Sequence, residues 1–222
     1  MKRRIVHALP VLLAAAALTV AEARVAAPGA RAKTGGRTGE VNALLLVSEN
    51  YGANYNLFRD EAEMMGWNLT TVGVTPTVNE CFWGGPITVD TLVTELPDLS
   101  PYDALLVTFS RSRLADAHSQ LLESPEALDL VSRAAAEGLL IVAHCAGTRV
   151  LAAAGVIDGK QVTGTPAFAN EYEAAGAIYV GDVRCPVWDG NVVTSMDGQV
   201  NKERNCQVIH AALDALRAGR SR

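Results

Sequence analysis

The chain of 222 residues is long enough for one α/β domain with a sizeable core, and its 49% hydrophobic and 19% charged residues are typical of a globular protein. A formal net charge of −5 argues against a protein that binds nucleic acid or a membrane surface. The four cysteines show no CxxC or paired Cys/His spacing, so we expect neither a metal site nor a cofactor.

The N-terminus combines the three parts of a secretory signal peptide. Lys2-Arg3-Arg4 precede an apolar run over residues 11–20, and Ala21-Glu22-Ala23 has the small-x-small pattern of a cleavage site. Because the apolar run is shorter than a comfortable membrane span, we expect cleavage after Ala23 rather than an uncleaved anchor. The expected location is therefore periplasmic or secreted, with no membrane attachment after the signal is removed.

Cleavage would divide the chain into a signal peptide (1–23), a linker (24–40) and a folded domain (41–222). The linker is basic and has no periodicity, which predicts disorder. Residues 1–23 carry three cations and one anion, so the remaining chain has a formal charge of −7.

Apolar runs and capping signals predict alternating strands and helices through the folded domain. Asn54 is a candidate N-cap of the first helix, with Gly66 at its C′ position. Ser124-Pro125 and Thr165-Pro166 each place an N-cap residue before a proline at N1, and Asp189-Gly190 is a two-residue hairpin signal. The predicted strands are 42–47, 68–74, 104–109, 139–144, 161–164, 177–180, 183–188 and 191–195, with a short hairpin around 86–92. The predicted helices are 54–65, 125–137, 148–154, 166–176 and 202–218.

This alternation predicts the α/β class, with βαβ units that form a mostly parallel sheet covered on both faces. In such sheets, functional groups gather beyond the carboxyl ends of the strands. The loops after the first and third strands, together with Cys145, are expected to lie at that edge. The sequence therefore locates a candidate site there.

The most informative stretch is the junction between the apolar run from residue 139 and the helix that begins at Thr148. The run ends abruptly in Cys145, and Ala146 and Gly147 follow. A strand that turns sharply into a helix around one nucleophile has the layout of a nucleophile elbow, here with cysteine in place of serine. The helix N-terminus would offer N–H groups and positive potential to a thiolate open to small molecules. The alternative is a buried structural cysteine at the end of a core strand.

Export would expose the cysteines to an oxidising compartment, which permits a disulfide. If Cys145 is a thiol, at most one pair can form among Cys81, Cys185 and Cys206. The sequence does not choose between the three pairings.

Several motifs together resemble the ThiJ/PfpI family of the class I glutamine amidotransferase-like superfamily. They are Cys145-Ala146-Gly147 and the stretches LAAAGVIDGKQVT (151–163), YEAAGA (172–177) and DGNVVTS (189–195). The resemblance covers roughly residues 42–217 and is strongest over 139–195. It implies a flavodoxin-like three-layer sandwich, with Cys145 as the reactive elbow cysteine and a small molecule as substrate. Family members are often dimers, which leaves a homodimer open.

The chain departs from the family pattern at three positions. Many members carry a glutamate after the first strand that hydrogen-bonds the thiolate. The corresponding residue here is Asn54, a catalytic candidate that could donate an N–H to position the sulfur but cannot shuttle a proton. A histidine often stands about 20 residues after the cysteine, where this chain has Thr165. The Gly-Gly that often follows the third strand is replaced around Ser110, so the oxyanion donors would be the backbone N–H groups of Ser110 and Ala146.

The remaining candidates each have a structural alternative. His144 directly precedes the cysteine and is a candidate catalytic group, but neighbours on a strand point to opposite faces, so a half-buried histidine satisfied by backbone is the alternative. Glu49 ends the first strand near the same edge. Arg111 and Arg149 could bind an anionic substrate group or be solvated surface charges. Thr165 is a further candidate for substrate contact.

Three functions follow from the resemblance and these departures. The first is an exported cysteine-dependent hydratase, hydrolase or glyoxalase-like enzyme that acts on a small electrophilic carbonyl or C–N substrate. The second is a non-enzymatic redox sensor or stress-protective holdase in which Cys145 oxidises reversibly. The third is an amidotransferase-like module whose catalytic apparatus has decayed.

Overall fold

A computed structural model describes residues 40–49, 51, 53–79, 85–108, 120–181, 183, 185–196 and 202–220. The predicted signal peptide, nearly all of the predicted linker and the loop that contains Ser110 and Arg111 lie outside these residues. In the described part of the chain, no helix is both long and apolar enough to cross a bilayer. The described strands are β1 (Val41–Val47), β2 (Trp67–Gly73), β3 (Thr77–Val78), β4 (Ile87–Thr88), β5 (Thr91–Leu92), β6 (Ala104–Val107), β7 (Leu140–His144), β8 (Gln161–Val162), β9 (Ile178–Tyr179), β10 (Val187–Asp189) and β11 (Val192–Ser195). The described helices are α1 (Ala53–Met64), α2 (Gln120–Glu123), α3 (Pro125–Ala136), α4 (Thr148–Ala153), α5 (Ala169–Ala174) and α6 (Lys202–Arg220).

Seven strands form the central sheet in the order β10-β11-β7-β6-β1-β2-β5. Every neighbouring pair is parallel except β10 and β11. The register aligns Leu44, Leu105, Ile141 and Val192 in one row across four strands. The predicted mostly parallel sheet is confirmed, and the carboxyl ends of β1, β6 and β7 meet at one edge.

Helices cover both faces of this sheet because its central strands are apolar on both sides. Alternate strand residues, such as Ile141 and Ala143, join a core that includes Leu130 of α3 and Leu151 of α4. Their neighbours, such as Val142, join a second core with side chains of α1 and α6. The three-layer α/β sandwich is thus two separate hydrophobic cores divided by the sheet.

Capping residues and glycines set the ends of two helices. The hydroxyl of Ser124 accepts a hydrogen bond from the N–H of Ala127 at 3.1 Å, which caps α3 as predicted. Gly66 and Gly138 follow α1 and α3 with φ of 78° and 82°, a conformation that glycine adopts at little cost.

Two local predictions were wrong, and the hairpin predicted at Asp189-Gly190 is present with its turn shifted by one residue. The segment 86–92 is not a hairpin: β4 pairs with β3, whereas β5 joins β2 in parallel. Asp189 pairs with Val192, so the residues between the paired positions are 190 and 191 rather than Asp189-Gly190. Thr165 makes no side-chain capping bond, and Pro166 opens a 3₁₀ turn (Pro166–Phe168) ahead of α5.

Candidate functional site

The elbow is made by a single backbone rotation at Cys145. His144 is extended, with φ −123° and ψ 136°, whereas Cys145 has φ 57° and opens a 3₁₀ turn (Cys145–Gly147) that leads into α4. Among the described residues, Cys145 is the only non-glycine residue with positive φ. This conformation costs an L-residue on the order of 1–2 kcal/mol, so the surrounding packing must hold it in place.

Gly147 lets the elbow sit directly on the sheet. A Cβ at this position would lie 2.8 Å from the carbonyl oxygen of Val107, the last residue of β6. Only glycine fits at this distance without a shift of the backbone. The amide of Ala146 lies within this turn, and its role as an oxyanion donor stays a prediction.

The sulfur of Cys145 lies against a threonine hydroxyl. Its Sγ is 3.1 Å from Oγ1 of Thr165, and the N–H of Thr165 donates to the carbonyl oxygen of Cys145 at 3.4 Å. Cys145 is 7% exposed, so it is more covered than the open thiol expected from the sequence. Cys145 and Cys185 are both thiols rather than half-cystines, whereas the side chains of Cys81 and Cys206 lie outside the description.

A packed set of hydroxyl groups holds the chain that carries Thr165. The hydroxyl of Thr148 donates to the carbonyl of Thr163 at 2.9 Å, and the phenol of Tyr172 donates to the carbonyl of Thr165 at 3.4 Å. A Cβ on Gly164 would lie 2.8 Å from the Tyr172 hydroxyl, which makes this approach specific to glycine. Burial, with a smaller contribution from Cys145, raises the pKa of Tyr172, so the phenol stays neutral and can donate. Sequence reasoning missed Tyr172 because an aromatic residue on a short helix gives no sign of a polar contact.

His144 lies on the other side of the strand. Its Nδ1 contacts the hydroxyl of Ser195, and its ring packs against Phe58 of α1 with centroids 5.5 Å apart. It is fully buried, its Nε2 has no hydrogen-bond partner among the residues that the structure describes, and burial lowers its pKa to about 4. The imidazole is therefore neutral near pH 7 and faces the α1 core, as strand alternation predicts and contrary to a position beside the sulfur.

The carboxylate of Glu49 binds the segment that follows β3. Its carboxylate accepts hydrogen bonds from the side-chain amide and the backbone N–H of Asn79, at 2.6 and 3.1 Å, and its own N–H donates to Oε1 of Gln120. These contacts tie the end of β1 to the segment after β3. The described contacts of the Glu49 carboxylate are therefore structural, and none of them involves Cys145.

Arg149 is engaged by a carboxylate. Its guanidinium makes two hydrogen bonds to Glu171, at 2.7 and 2.9 Å, and lies 4.0 Å from the ring centroid of Phe168. The positive charge predicted to meet an anionic substrate group is thus already matched. Neither Glu171 nor Phe168 was singled out from the sequence.

The structure brings Cys145 and Thr165 together and leaves other predicted site residues undescribed. Ser110 and Arg111 lie outside the described residues. Helix α1 begins at Ala53, so Asn54 lies in its first turn rather than at the predicted N-cap, and its side chain is not among those described. Two grooves of about 410 and 470 Å³ flank the start of α3, and Cys145 lines neither of them. Within the described part, no group of three or more His, Cys, Asp or Glu side chains could hold a metal ion.

Comparisons with known proteins place this geometry in a family. A two-domain protein from Anabaena variabilis, with dj-1/thij/pfpi-like and ferritin-like domains, matches with a TM-score of 0.67 and 22% identity, over 80% of this chain and 49% of that one. This chain therefore corresponds to about half of that relative. A ThiJ/PfpI domain protein from Brachyspira murdochii matches with a TM-score of 0.66 and 18% identity, over 82% of this chain and 99% of that one. Drosophila melanogaster DJ-1beta matches with a TM-score of 0.64 and 21% identity, over 82% of this chain and 96% of that one.

At these identities the solved structures establish the fold alone. A search of curated protein sequences finds no match. The sequence profile of the DJ-1/PfpI family, however, matches residues 44–209, which is most of the chain and includes the elbow and the Thr165 segment. The chain therefore belongs to the DJ-1/PfpI family.

Proposed function

We propose that the protein is a cysteine-dependent enzyme that acts on a small electrophilic carbonyl or C–N compound. The observation that carries the proposal is the positive φ of Cys145 at the elbow. Glycine would adopt this conformation at little cost, whereas the cysteine carries a backbone strain that its packing must offset. A strained cysteine whose sulfur meets a hydrogen-bonding hydroxyl favours a nucleophile over a core filler.

The geometry suggests how the thiolate is maintained and used. A hydroxyl can donate one hydrogen bond to a thiolate, which lowers the pKa of the thiol, and backbone amides of the turn that follows would act in the same direction. The thiolate adds to the carbonyl carbon, so that an S–C bond forms, the C=O π bond breaks and the oxygen takes the electron pair. Thr165 does not titrate near neutral pH, so it is not the proton donor. The oxygen takes its proton from water or from another group.

Turnover by the purified chain tests the proposal. We expect consumption of methylglyoxal or of an alkyl isocyanide, and we expect Cys145→Ala to abolish it. Cys185→Ala is the matched control, because it removes an exposed thiol far along the chain from the elbow and should retain full activity. Equal turnover by Cys145→Ala and the parent protein would contradict the proposal.

A redox-sensing role is the second candidate, and the contact between Thr165 and the sulfur supports it as well. A hydroxyl donor stabilises a sulfenate as it does a thiolate. In that reaction the thiolate attacks peroxide, an S–O bond forms, the O–O bond breaks and hydroxide leaves. The two described cysteines make the test sharp. Exposure alone predicts oxidation of Cys185 first, whereas thiolate character predicts Cys145 first.

Peptide mass analysis after dilute peroxide separates these outcomes. Preferential oxidation of Cys145 without any turnover would favour the sensor over the enzyme. A pH profile of Cys145 alkylation tests the third reading, a decayed module. An apparent pKa near that of an ordinary thiol, about 8.5, would favour a decayed site.

We further propose that the chain is exported after removal of residues 1–23, on the strength of the N-terminal pattern described above. The full chain, expressed in an export-competent bacterial host, should be recovered outside the cytoplasm with Arg24 as its first residue. Intact mass of the recovered protein measures this directly. Retention of residues 1–23 in a cytoplasmic product would contradict it.

A further inference from the structure

Two short helices on the Cys145 side of the sheet are joined by one ion pair. Arg149 lies in the first turn of α4, and its guanidinium donates hydrogen bonds to both carboxylate oxygens of Glu171 in α5. Such a bidentate pair fixes the relative orientation of its partners as well as their distance. The side chain of Arg149 is 17% exposed and that of Glu171 is 45% exposed, so the guanidinium is shielded from solvent while its carboxylate partner remains accessible.

The same guanidinium also contacts the turn that precedes α5. It stacks on the ring of Phe168 at 4.0 Å from the centroid, a distance suited to a cation–π contact. The N–H of Phe168 donates to the carbonyl of Thr165 at 3.0 Å, which closes residues 165–168 into one turn. We call this segment the 165–168 turn. Arg149 therefore touches one end of a turn whose other end carries the hydroxyl beside the sulfur.

We propose that Arg149 is a positioning residue: by pairing with Glu171 and stacking on Phe168, it holds the 165–168 turn so that the Thr165 hydroxyl stays in contact with Cys145. This inference rests on the proposed function, since it takes the Cys145 thiolate as the reactive group. Arg149 acts through the turn and not on the substrate. Its role differs from the anion-binding role that the sequence suggested.

Charge alone offers a rival explanation that has the opposite consequence. If the positive charge of Arg149 acted on the sulfur directly, Glu171→Gln would leave that charge uncompensated and lower the pKa of the Cys145 thiol. If Arg149 acts by position, the same substitution loosens the turn, removes a hydrogen bond from the thiolate and raises that pKa. The sign of the shift therefore decides between the two explanations.

The experiment is a pH profile of Cys145 alkylation by iodoacetamide, in the full chain with Cys185→Ala as background. It measures the apparent pKa of the thiol and the alkylation rate on the high-pH plateau. We expect Arg149→Lys and Glu171→Gln each to raise the apparent pKa, with alkylation at pH 7 slowed about threefold to tenfold, which corresponds to losing one hydrogen bond of ordinary net strength. The rate on the high-pH plateau should rise in both variants, because the turn also covers the sulfur. Adding Thr165→Val to Arg149→Lys should raise the pKa no further than Thr165→Val alone.

Arg59→Lys is the matched control, because Arg59 also pairs with a carboxylate, Asp60, and lies over an aromatic ring, Tyr55. It belongs to α1 and should leave both readouts unchanged. Thermal melting confirms that each variant is folded. If Arg149→Lys does not fold, Glu171→Gln alone tests the proposal.

The two proposals fail separately in this experiment. An ordinary pKa in the parent protein contradicts the proposed thiolate chemistry, whereas the plateau rates still report whether Arg149 holds the turn. Unchanged pKa and plateau rate in both Arg149→Lys and Glu171→Gln would overturn the positioning role. A lowered pKa in Glu171→Gln would also overturn it, in favour of direct charge action.

Discussion

Two consecutive residues, His144 and Cys145, occupy opposite sides of the sheet and differ in almost every property that matters for chemistry. His144 is sealed into the α1 core with its pKa lowered to about 4, and it contacts Phe58 and Ser195. Cys145 lies on the opposite face, where its sulfur contacts the hydroxyl of Thr165, and the partly shielded pair of Arg149 with Glu171 lies beside the turn that begins at Thr165. One titratable group is therefore enclosed in a core, whereas the other is the group that we propose to react. Adjacency in sequence did not make them a catalytic pair.

The largest effect expected from this division is a pH dependence of stability that comes from His144. Its pKa is near 6.5 when unfolded and about 4 when folded, so between these values the unfolded state binds more protons. The contribution of neutral His144 to the free energy of unfolding is fully present above pH 6.5. It is lost as the pH drops to 4, by on the order of 3 kcal/mol. Urea unfolding at pH 7 and pH 4.5 measures this loss.

Two variants separate the histidine from other acid-sensitive groups. His144→Phe removes the titrating ring and should lessen the loss of stability between pH 7 and pH 4.5. Ser195→Ala removes only the hydroxyl that contacts Nδ1, so it should lower stability at both pH values and keep the parent's pH dependence. Identical pH dependence in His144→Phe and the parent protein would show that the buried histidine does not control acid stability.

The separation of these two residues was predictable from sequence, because alternation along a strand is a local rule. The alternation of strands with helices predicted the parallel sheet, and the capping signal at Ser124 predicted the start of α3. The pairing of β4 and β5 was not predictable, since strands of two residues are placed by tertiary contacts. The ion pair of Arg149 with Glu171 spans 22 residues and two helices, and neither residue reveals its partner by local pattern.

The position of Thr165 was a different case. The resemblance aligned it with a family histidine, so its place near the cysteine was anticipated, but the chemistry was not. The contact with the sulfur is made by a hydroxyl, which can donate a hydrogen bond but does not release its proton near neutral pH, so it cannot exchange protons as a histidine would. A motif thus predicted the location of a site residue better than its role.

A second, smaller effect is expected at the elbow that divides the two regions. Gly147→Ala would place a methyl group 2.8 Å from the carbonyl of Val107, and backbone must move to relieve it. We expect a loss of about 1–3 kcal/mol in the free energy of unfolding, as in overpacked cores. Gly85→Ala is the control, because its Cβ would meet nothing within 4 Å. Equal stability of the two variants would mean that the elbow tolerates a shift away from β6.

The smallest effect, and the one that bears most directly on the site, concerns the hydroxyl of Thr165. Thr165→Val keeps the shape of the side chain and removes the donor, so the apparent pKa of Cys145 alkylation should rise and the rate at pH 7 should fall about threefold to tenfold. Thr165→Ser restores the hydroxyl and should stay within about twofold of the parent, since a hydroxyl rotor can reach the same acceptor. Because neither substitution reaches His144, both proteins should keep the parent's loss of stability at low pH. A pKa that is the same for valine and serine would show that the 3.1 Å contact does not stabilise the thiolate, and the reactive side of the comparison would then depend on the turn amides after Cys145 alone.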